Sequence, residues 1–256
     1  MIPISVAEAK ERLTETTTRL GAGVLAFDGD GTLWTGDVAD DVIHRLMLEK
    51  RVRESALPVF ARAILDAGEL GAPEEVHDAF LEIMRLDREG RIDHGRTCEL
   101  VGCLLSGWNE PEFDAFCIET LKAAKLPERL IGESWELLRF AEAAGHTIVV
   151  VSASPIAIVH AACEVALGPK LRTGVHVRVT DGVYEAEVAS PIPYNEGKVV
   201  HLSRFLEGRP VIAAFGDNRF DIPMLKHAEN AFAVRPKKAL RDVAHTVPGM
   251  FELQQS

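Results

Sequence analysis

The sequence predicts an α/β fold built on a doubly wound, mainly parallel sheet. Two observations predict the sheet. Short apolar strands alternate with helices after residue 126, and one isolated apolar strand, "AGVLAF", occupies residues 22–27. A third observation concerns residues 38–125, which lie between the isolated strand and the alternating part and show only helical periodicity. A Rossmann-like sheet with an all-helical domain inserted after its first strand accounts for all three.

The first half of the chain is predicted to be helical apart from that strand. Residues 6–20 form an amphipathic pattern, and glycine leads into the strand. Five further amphipathic segments follow, most of them ended by Gly or Pro, at 39–52, 57–68, 73–90, 94–107 and 111–124. We expect residues 36–125 to form a helical cap inserted into a core made of residues 1–35 and 126–256. Four aromatic residues at helical spacing are expected in the interior of this cap: Phe60, Phe80, Phe113 and Phe116.

Strands and helices alternate in the second half. Strands are expected at 146–154, 210–218 and 230–235, and their apolar character on both faces is typical of central parallel strands. The Asp181-Gly182 pair inside residues 174–190 predicts a β-hairpin. The helices expected in this half lie at 127–145, 155–169, 195–208, 220–229 and 236–244.

Composition excludes several classes of protein. The formal net charge is −11, and the densest basic stretch, "RPKKALR" at 235–241, is short, so a nucleic-acid partner is not expected. No window of 18 apolar residues predicts a membrane span, and the polar N-terminus does not resemble a secretory signal. The cysteines contain no CxxC pair and are expected to be reduced, buried thiols of a cytoplasmic protein: Cys98, Cys103, Cys117 and Cys163.

Asp28 and Asp30 follow the first strand directly, inside "DGDGT". A glycine-rich turn is one explanation, because Asp-Gly is common in turns. The other explanation is chemical: one carboxylate attacks an electrophile while the other handles a proton. Two carboxylates this close need a cation between them, and Mg²⁺ prefers oxygen ligands.

Ser152 and Ser154 end the strand at 146–154. Ser154 followed by Pro155 is typical of a helix N-cap and first helical position, so capping is the expected role of Ser154. Ser152 is expected to direct its hydroxyl towards the sheet edge. The amides that follow it and the helix N-terminus could bind an anion there.

Lys198 and the "GDNRFD" segment at 216–221 complete the candidate residues. Lys198 lies in the first turn of a predicted helix, where a cation faces the positive end of the macrodipole. It is either solvated or held there by carboxylates and a bound anion. Asp217 is a candidate metal ligand. Asp221 either complements the dipole of the following helix or supports the site.

These segments occur in the order Asp-x-Asp-x-Thr, Ser, Lys and Gly-Asp-x-x-x-Asp, each at a predicted strand end or helix start. In this combination the core of the chain resembles the haloacid dehalogenase superfamily of hydrolases. The resemblance implies a doubly wound sheet with a mobile cap. The helical insert, the predicted hairpin and "EGK" at 196–198 are similar to the phosphoserine-phosphatase-like branch.

The resemblance implies phosphoryl transfer through an aspartyl phosphate. Asp28 would be the nucleophile, and Asp30 would protonate the leaving alcohol and then activate water. The dehalogenases of the superfamily lack a carboxylate at the position of Asp30, which favours a phosphatase. Ser152 and Lys198 would bind phosphoryl oxygens. The implied cofactor is Mg²⁺, held by Asp28, the carbonyl of Asp30, Asp217 and Asp221. The residues expected to contact the substrate are Thr32, Asp37, Ser152, Ala153, Lys198 and Asn218, and Thr32 is also expected to orient Asp28.

The expected partner is a small phosphorylated metabolite, bound by a monomer or homodimer. Asp37 stands nine residues after Asp28, where phosphoserine phosphatases carry an acidic residue that binds the substrate's amine. An amino-bearing substrate such as phosphoserine or a choline-type phosphate is therefore a candidate, with Arg85, Arg91 or Arg96 as candidate carboxylate ligands. A phosphotransferase or phosphomutase with the same chemistry and a non-catalytic scaffold are the alternatives.

Overall fold

A seven-stranded sheet, parallel throughout, forms the centre of the protein in a computed structural model that describes residues 1–255. The strands are β1 (Ile2–Ile4), β2 (Val24–Phe27), β3 (Thr147–Pro155), β4 (Leu171–Val175), β5 (Val177–Thr180), β6 (Val183–Val188), β7 (Val211–Gly216), β8 (Asn230–Val234) and β9 (Phe251–Leu253). The order in the sheet is β1-β9-β8-β7-β2-β3-β4, and β5 and β6 form a separate antiparallel hairpin.

Helices cover the sheet, and several of them lie between β2 and β3 in the sequence. They are α1 (Val6–Leu20), α2 (Val38–Leu48), α3 (Leu57–Asp66), α4 (Val76–Arg88), α5 (His94–Cys103), α6 (Glu110–Ala123), α7 (Gly132–Ala143), α8 (Ile156–Ala166), α9 (Glu196–Ser203), α10 (Ile222–Lys226) and α11 (Lys238–Val243). None of the helices within residues 1–255 is both long and apolar enough to cross a membrane. Residues 36–125, here called the helical insert, contain α2–α6 and no strand.

Both faces of the sheet are buried, which confirms the doubly wound fold. Side chains alternate along β2, so that Leu25 and Phe27 belong to one hydrophobic cluster while Val24 and Ala26 belong to the other. All four residues are fully buried. A strand that is apolar on both faces is expected at the centre of a parallel sheet covered by helices on either side.

An aromatic stack runs across the central strands on one face of the sheet. Phe27 lies 4.1 Å from Phe215 between ring centroids, and Phe215 lies 4.9 Å from Phe232. The three residues are paired in register on β2, β7 and β8. Asp28 follows Phe27 directly, and Asp217 follows Phe215 by two residues, so the stack fixes the strand ends that carry these carboxylates.

Three strands were not predicted. β1 and β9 are three residues long, too short to show a periodic pattern, and they pair only with each other and β8. β4 overlaps the predicted hairpin only at Gly174 and Val175, and its first three residues belong to no predicted element. The hairpin itself is confirmed over β5 and β6, with Asp181 and Gly182 both at positive φ in the turn.

The hairpin is bonded to the helical insert by backbone groups. The amide of Gly107 donates to the carbonyl of Tyr184 at 2.8 Å, and the amide of Tyr184 donates to the carbonyl of Trp108 at 2.9 Å. A third bond joins Glu110 to Gly182 at 3.0 Å. The hairpin therefore extends the insert by strand-like pairing. The predicted aromatic interior of the insert is confirmed, since Phe60, Phe80, Phe113 and Phe116 are all buried.

Candidate active site

The carboxyl ends of β2, β3 and β7 bring the sequence motifs together. β2 lies between β3 and β7, so the loops that follow these strands are neighbours. They line a cleft of about 220 Å³ together with residues of the helical insert. The cleft is lined by Asp28, Asp30, Asp37, Ala39, Asp40, Ile43, Met84, His94, Thr97, Cys98, Val101, Ser152, Ala153, Ser154, Tyr194, Lys198, Asp217, Asn218, Phe220, Asp221 and Lys237.

Lys198 lies at the centre of the site. Its ammonium donates to Asp28 Oδ1 at 2.6 Å and to Asp221 Oδ1 at 2.5 Å, and the lysine side chain is only 4% exposed. The alternative of a solvated lysine is therefore wrong. Burial is the largest single influence and lowers the pKa of Lys198, but the charges of Asp221 and Asp28 and their hydrogen bonds together outweigh it and raise the pKa, so this side chain stays charged.

Asp28 is held in a fixed orientation by the groups around it. Its Oδ1 accepts from Lys198, its Oδ2 accepts from the hydroxyl of Thr32 at 3.3 Å, and its amide donates to the carbonyl of Phe215 at 3.0 Å. Burial raises the pKa of Asp28, and the charges of Asp221 and Asp217 raise it further, while Lys198 opposes the rise. A nucleophilic carboxylate must be ionised, so the site calls for more positive charge at this point.

Thr32 is the one predicted substrate contact that the structure places away from the cleft. It is fully buried and does not line the cavity. Its hydroxyl donates to Asp28, which agrees with the second role expected of it. We therefore do not expect Thr32 to touch a substrate, because it is fully buried outside the lining of the cleft.

Asp28, Asp217 and Asp221 form a compact group of carboxylates. Each offers an oxygen such that the three atoms lie within 4.8 Å of one another. Asp217 Oδ1 is buried without a hydrogen-bond partner, which costs free energy unless a cation or another donor completes the site. Carboxylate oxygens at this separation fit a hard divalent cation such as Mg²⁺.

Asp221 accepts more hydrogen bonds than the other two carboxylates, three in all through its two oxygens. Oδ1 accepts from Lys198, while Oδ2 accepts from the amides of Asp217 at 3.1 Å and Asn218 at 2.9 Å. The residue thereby fixes the loop that carries Asp217. It fits the support of Lys198 and Asp217 better than direct ligation of a metal. The side chain of Asp30 is not part of the carboxylate group either; the ligand expected from Asp30 is its carbonyl oxygen.

Gly31 makes room for Asp217. Its φ is +80°, a conformation that favours glycine, and a Cβ atom at this position would lie 2.1 Å from Asp217 Oδ2. A side chain at residue 31 would therefore displace the carboxylate from the site. Gly31, the second glycine of "DGDGT", is therefore needed both for the turn and for the close approach of Asp217.

Asp30 has one oxygen that is held tightly and one that is freer. Oδ1 accepts from the indole of Trp34 at 2.7 Å and from the amide of Val38 at 2.8 Å, while Oδ2 accepts only a 3.3 Å bond from the hydroxyl of Ser154. Burial, with a smaller contribution from the charge of Asp37, raises the pKa of Asp30 to about 7. A carboxyl group with this pKa can donate and accept a proton near neutral pH.

The serines of β3 do not behave as a cap. The strand continues to Pro155, and Ser154 donates its hydroxyl to Asp30, so the predicted capping role of Ser154 is wrong. Its amide donates to Ser152 Oγ at 3.0 Å. Ser152 is buried and lines the cleft, and the hydroxyl proton it retains can be donated to a ligand. Ala153 also lines the cleft.

Asn218 and Asp37 also line the cleft, but each has a structural role as well. Asn218 Oδ1 accepts from the amide of Arg219 at 2.7 Å. Asp37 is the N-cap of α2 and accepts from the amides of Ala39 and Asp40. Trp34, which donates to Asp30, is fully buried and does not line the cavity.

The outer wall of the cleft contains residues that the sequence analysis did not select. The rings of Tyr194 and Phe220 pack at an angle of 40° with centroids 4.5 Å apart, and the ring of His94 of α5 stacks on Phe220 at 5.8 Å. Cys98 also lines this wall, but burial raises the pKa of its thiol to about 12, so it is not a nucleophile at neutral pH. No local pattern could have identified the aromatic residues, because they come from three separate segments.

The arginines considered as carboxylate ligands lie elsewhere. Arg85 pairs with Glu69, Glu82 and Glu89. Arg91 pairs with Glu69, and Arg96 pairs with Glu99. Within residues 1–255 the only Lys or Arg side chains that line the cleft are Lys198 and Lys237.

Solved structures of other proteins share the fold of this chain. The fold is similar to that of a protein of unknown function from Bordetella pertussis Tohama I, with a TM-score of 0.71 at 20% identity over 92% of this chain and 100% of that chain. It is also similar to a substrate-bound phosphoserine phosphatase, with a TM-score of 0.52 at 17% identity over 92% and 94% of the two chains. Cytosolic 5'-nucleotidase IIIB bound to cytidine has a TM-score of 0.56 at 13% identity, over 98% and 86%.

No curated protein matches the sequence. The profile of the haloacid dehalogenase-like hydrolases matches residues 25–226, a span that contains each of the four sequence motifs. The predicted resemblance is confirmed: the chain belongs to the haloacid dehalogenase-like hydrolases.

Proposed function

We propose that this protein is a Mg²⁺-dependent phosphatase that hydrolyses a small phosphomonoester through a phosphoryl group on Asp28. The observation that carries the proposal is the arrangement around Lys198. A buried ammonium joins the Asp28 carboxylate to a second carboxylate, Asp221, at the mouth of a parallel sheet. Phosphoryl transfer depends on positioning and on positive charge, and both are provided here.

Asp28 and Asp217 would hold the Mg²⁺ ion. The unpartnered Oδ1 of Asp217 and the high pKa that burial gives Asp28 both support a cation between them. When bound, such an ion neutralises charge on the transferring phosphoryl group. Asp221 would orient Lys198 and the Asp217 loop, as its hydrogen bonds suggest.

The residues of the chain divide the remaining work. Thr32 and Lys198 orient the carboxylate of Asp28 for attack on phosphorus. Lys198 and the free hydroxyl proton of Ser152 would bind phosphoryl oxygens. Asp30 would protonate the leaving oxygen through its freer Oδ2 and then take a proton from the attacking water. Its pKa of about 7 suits both steps.

The helical insert would act as the cap over this site, with α2, α4 and α5 forming its inner surface. Its contribution to the cleft includes Asp40 and Ile43 from α2, Met84 from α4, and the polar His94 and Thr97 with the apolar Val101 from α5. The cleft of about 220 Å³ is smaller than the roughly 300–1,000 Å³ of pockets for drug-sized ligands, which supports a small substrate.

The charges in the cleft favour a leaving group without a carboxylate. Asp37 and Asp40 line its outer part, and Lys198 and Lys237 lie at the inner carboxylates. A carboxylate in the outer part would face like charge with no arginine to pair it. Among amino-bearing phosphates we therefore favour a phosphoethanolamine- or choline-type compound over phosphoserine.

Hydrolysis of p-nitrophenyl phosphate with and without Mg²⁺ tests the proposed activity. We expect Mg²⁺-dependent turnover that the Asp28→Asn variant abolishes while its circular dichroism spectrum is unchanged. Lys226→Met changes an exposed lysine on α10, outside the cleft, and should keep full activity. Turnover by Asp28→Asn would disprove the nucleophile, and no turnover by the wild type would favour a scaffold.

A panel of phosphomonoesters tests the substrate class. We expect kcat/KM for phosphoethanolamine and phosphocholine to exceed that for phosphoserine and for nucleoside monophosphates. A preference for phosphoserine would disprove the argument from charge. Adding an alcohol acceptor and analysing the products separates hydrolysis from transfer, since a transferase would yield a new phosphomonoester in place of inorganic phosphate.

A further inference from the structure

Lys237 brings a second ammonium group to the carboxylates of the cleft. Its Nζ lies 2.9 Å from Asp217 Oδ2, and its backbone amide donates to the carbonyl of Asp217 at 2.8 Å. Asp217 is itself buried, with a side chain only 3% exposed. Lys237 also lines the same cavity as Asp28 and Lys198. The side chain is thus directed inwards by two contacts with one buried residue.

The loop that carries Lys237 is held in place by its neighbours. Arg235 adopts a φ of +42°, which is uncommon for a residue other than glycine and persists only where the surroundings impose it. Its guanidinium donates to both oxygens of Glu133, at 2.7 and 3.1 Å, and that carboxylate is buried at the start of α7. Pro236 follows and restricts the chain further.

The other cations of this basic stretch serve different carboxylates. Lys238 pairs with Asp242 one turn along α11, and Arg241 pairs with Glu252. Lys238 is 87% exposed, and neither residue lines the cleft. Within the "RPKKALR" stretch, Lys237 is therefore distinguished by its direction into the cleft, and Lys238 provides a matched control.

The balance of charges in the site favours a second ammonium, that of Lys237, next to a bound phosphoryl group. Asp28, Asp217 and Asp221 carry three negative charges, and a phosphomonoester dianion adds two. Lys198 and one divalent cation supply three positive charges, which leaves an excess of negative charge in a site that is largely shielded from water. Unbalanced charge is costly there. A little over half of the Lys237 side chain is exposed and the residue lines the cavity, so a phosphoryl group bound in the cleft could contact its ammonium.

We propose that Lys237 is a second phosphoryl-binding cation of this site, in addition to Lys198. It binds the phosphoryl group of the substrate and the inorganic phosphate product while remaining next to Asp217. This inference rests on the proposed phosphatase function, but it concerns binding of the anion and can be tested without turnover.

Binding of inorganic phosphate to the full chain in the presence of Mg²⁺, measured by isothermal titration calorimetry, is the test. A hydrogen bond between charged groups contributes enough that its loss should weaken binding by about ten-fold or more. We expect this loss in Lys237→Ala and Lys237→Gln, partial recovery in Lys237→Arg, and wild-type affinity in Lys238→Ala. In turnover of p-nitrophenyl phosphate, KM should rise more than kcat falls.

Unchanged phosphate affinity in Lys237→Ala and Lys237→Gln would overturn the proposal. So would an equal loss in all three Lys237 variants accompanied by a lower Tm, because that result would assign the lysine a structural role. If the wild type binds phosphate through Lys237 but hydrolyses no phosphomonoester, the proposed function fails while the binding role of Lys237 stands. The two claims are therefore distinguishable.

Discussion

Replacement of Lys198 by methionine should destabilise the protein strongly. The ammonium lies 2.6 Å from Asp28 and 2.5 Å from Asp221, with side chains that are 4%, 11% and 1% exposed. Methionine fills a similar volume but leaves two buried carboxylates without their shared cation. Breaking a buried ion pair by removing one partner costs about 3–5 kcal/mol of unfolding free energy. We expect a loss in this range at neutral pH.

Urea denaturation in the presence of a chelator measures this loss without compensation by divalent cations. The deficit should shrink as the pH falls, because protonation of Asp28, whose pKa is raised by burial, removes part of the negative charge that Lys198 balances. Lys10→Met is the matched control: Lys10 pairs with Glu136 at 2.6 Å on the surface, and loss of such a pair costs about 0–1 kcal/mol. A loss below about 1 kcal/mol for Lys198→Met, equal to that of the control, would refute the reasoning.

Three further perturbations test other parts of the structure. Gly31→Ala should abolish activity and the Mg²⁺-dependent rise in Tm, because its Cβ would displace Asp217; an unchanged Mg²⁺ response would contradict this. In urea denaturation, Phe215→Ala should lower the unfolding free energy by about 3–5 kcal/mol. The control Phe205→Ala, at a half-buried position, should lower it by less, and equal losses would contradict a stabilising role of the aromatic stack. Burial lowers the pKa of His146, so the stability due to its neutral ring should be present above the unfolded pKa of about 6.5 and lost as the pH falls. Urea titrations at a series of pH values should therefore show a steeper loss of unfolding free energy in the wild type than in His146→Gln. Parallel curves for the two proteins would contradict this role of His146.

The fold could be predicted where the sequence carries a strong local pattern. β2, β3, β7 and β8 are continuous apolar runs, and each is followed by a helix. The outer strands β1 and β9 have three residues each, and their pairing depends on contacts between the two ends of the chain. Such pairing leaves no periodic signal, which is why the edge of the sheet was missed.

The inner half of the site was predictable because its residues sit at strand ends. Asp28 and Asp217 follow β2 and β7, and Ser152 lies in the last part of β3; parallel topology brings these neighbouring strand ends together. Ser154 was misassigned because Ser-Pro also fits a helix cap, and only the path of β3 decides between the two roles. The sequence pattern placed Ser154 at the end of this strand, but it did not identify Asp30 as the group that accepts its hydrogen bond.

The outer half of the cleft could not be predicted from local patterns. Lys237 meets Asp217 because β7 and β8 are adjacent, and a short basic stretch gave no hint of its direction. His94 comes from the helical insert, while Tyr194 and Phe220 come from the core, so their contact exists only in the folded chain. We propose that the leaving group of the substrate is recognised in this outer half, and for that reason the sequence left its identity open.

Chemical trapping of the phosphoryl group tests the central claim most directly. The wild type would be mixed with p-nitrophenyl phosphate and Mg²⁺, quenched in acid during turnover, digested, and mapped by mass spectrometry. We predict one phosphoryl group on the peptide that contains Asp28, removed by hydroxylamine and absent from Asp28→Asn. Turnover with a phosphoryl group on another residue, or with none on Asp28, would contradict it.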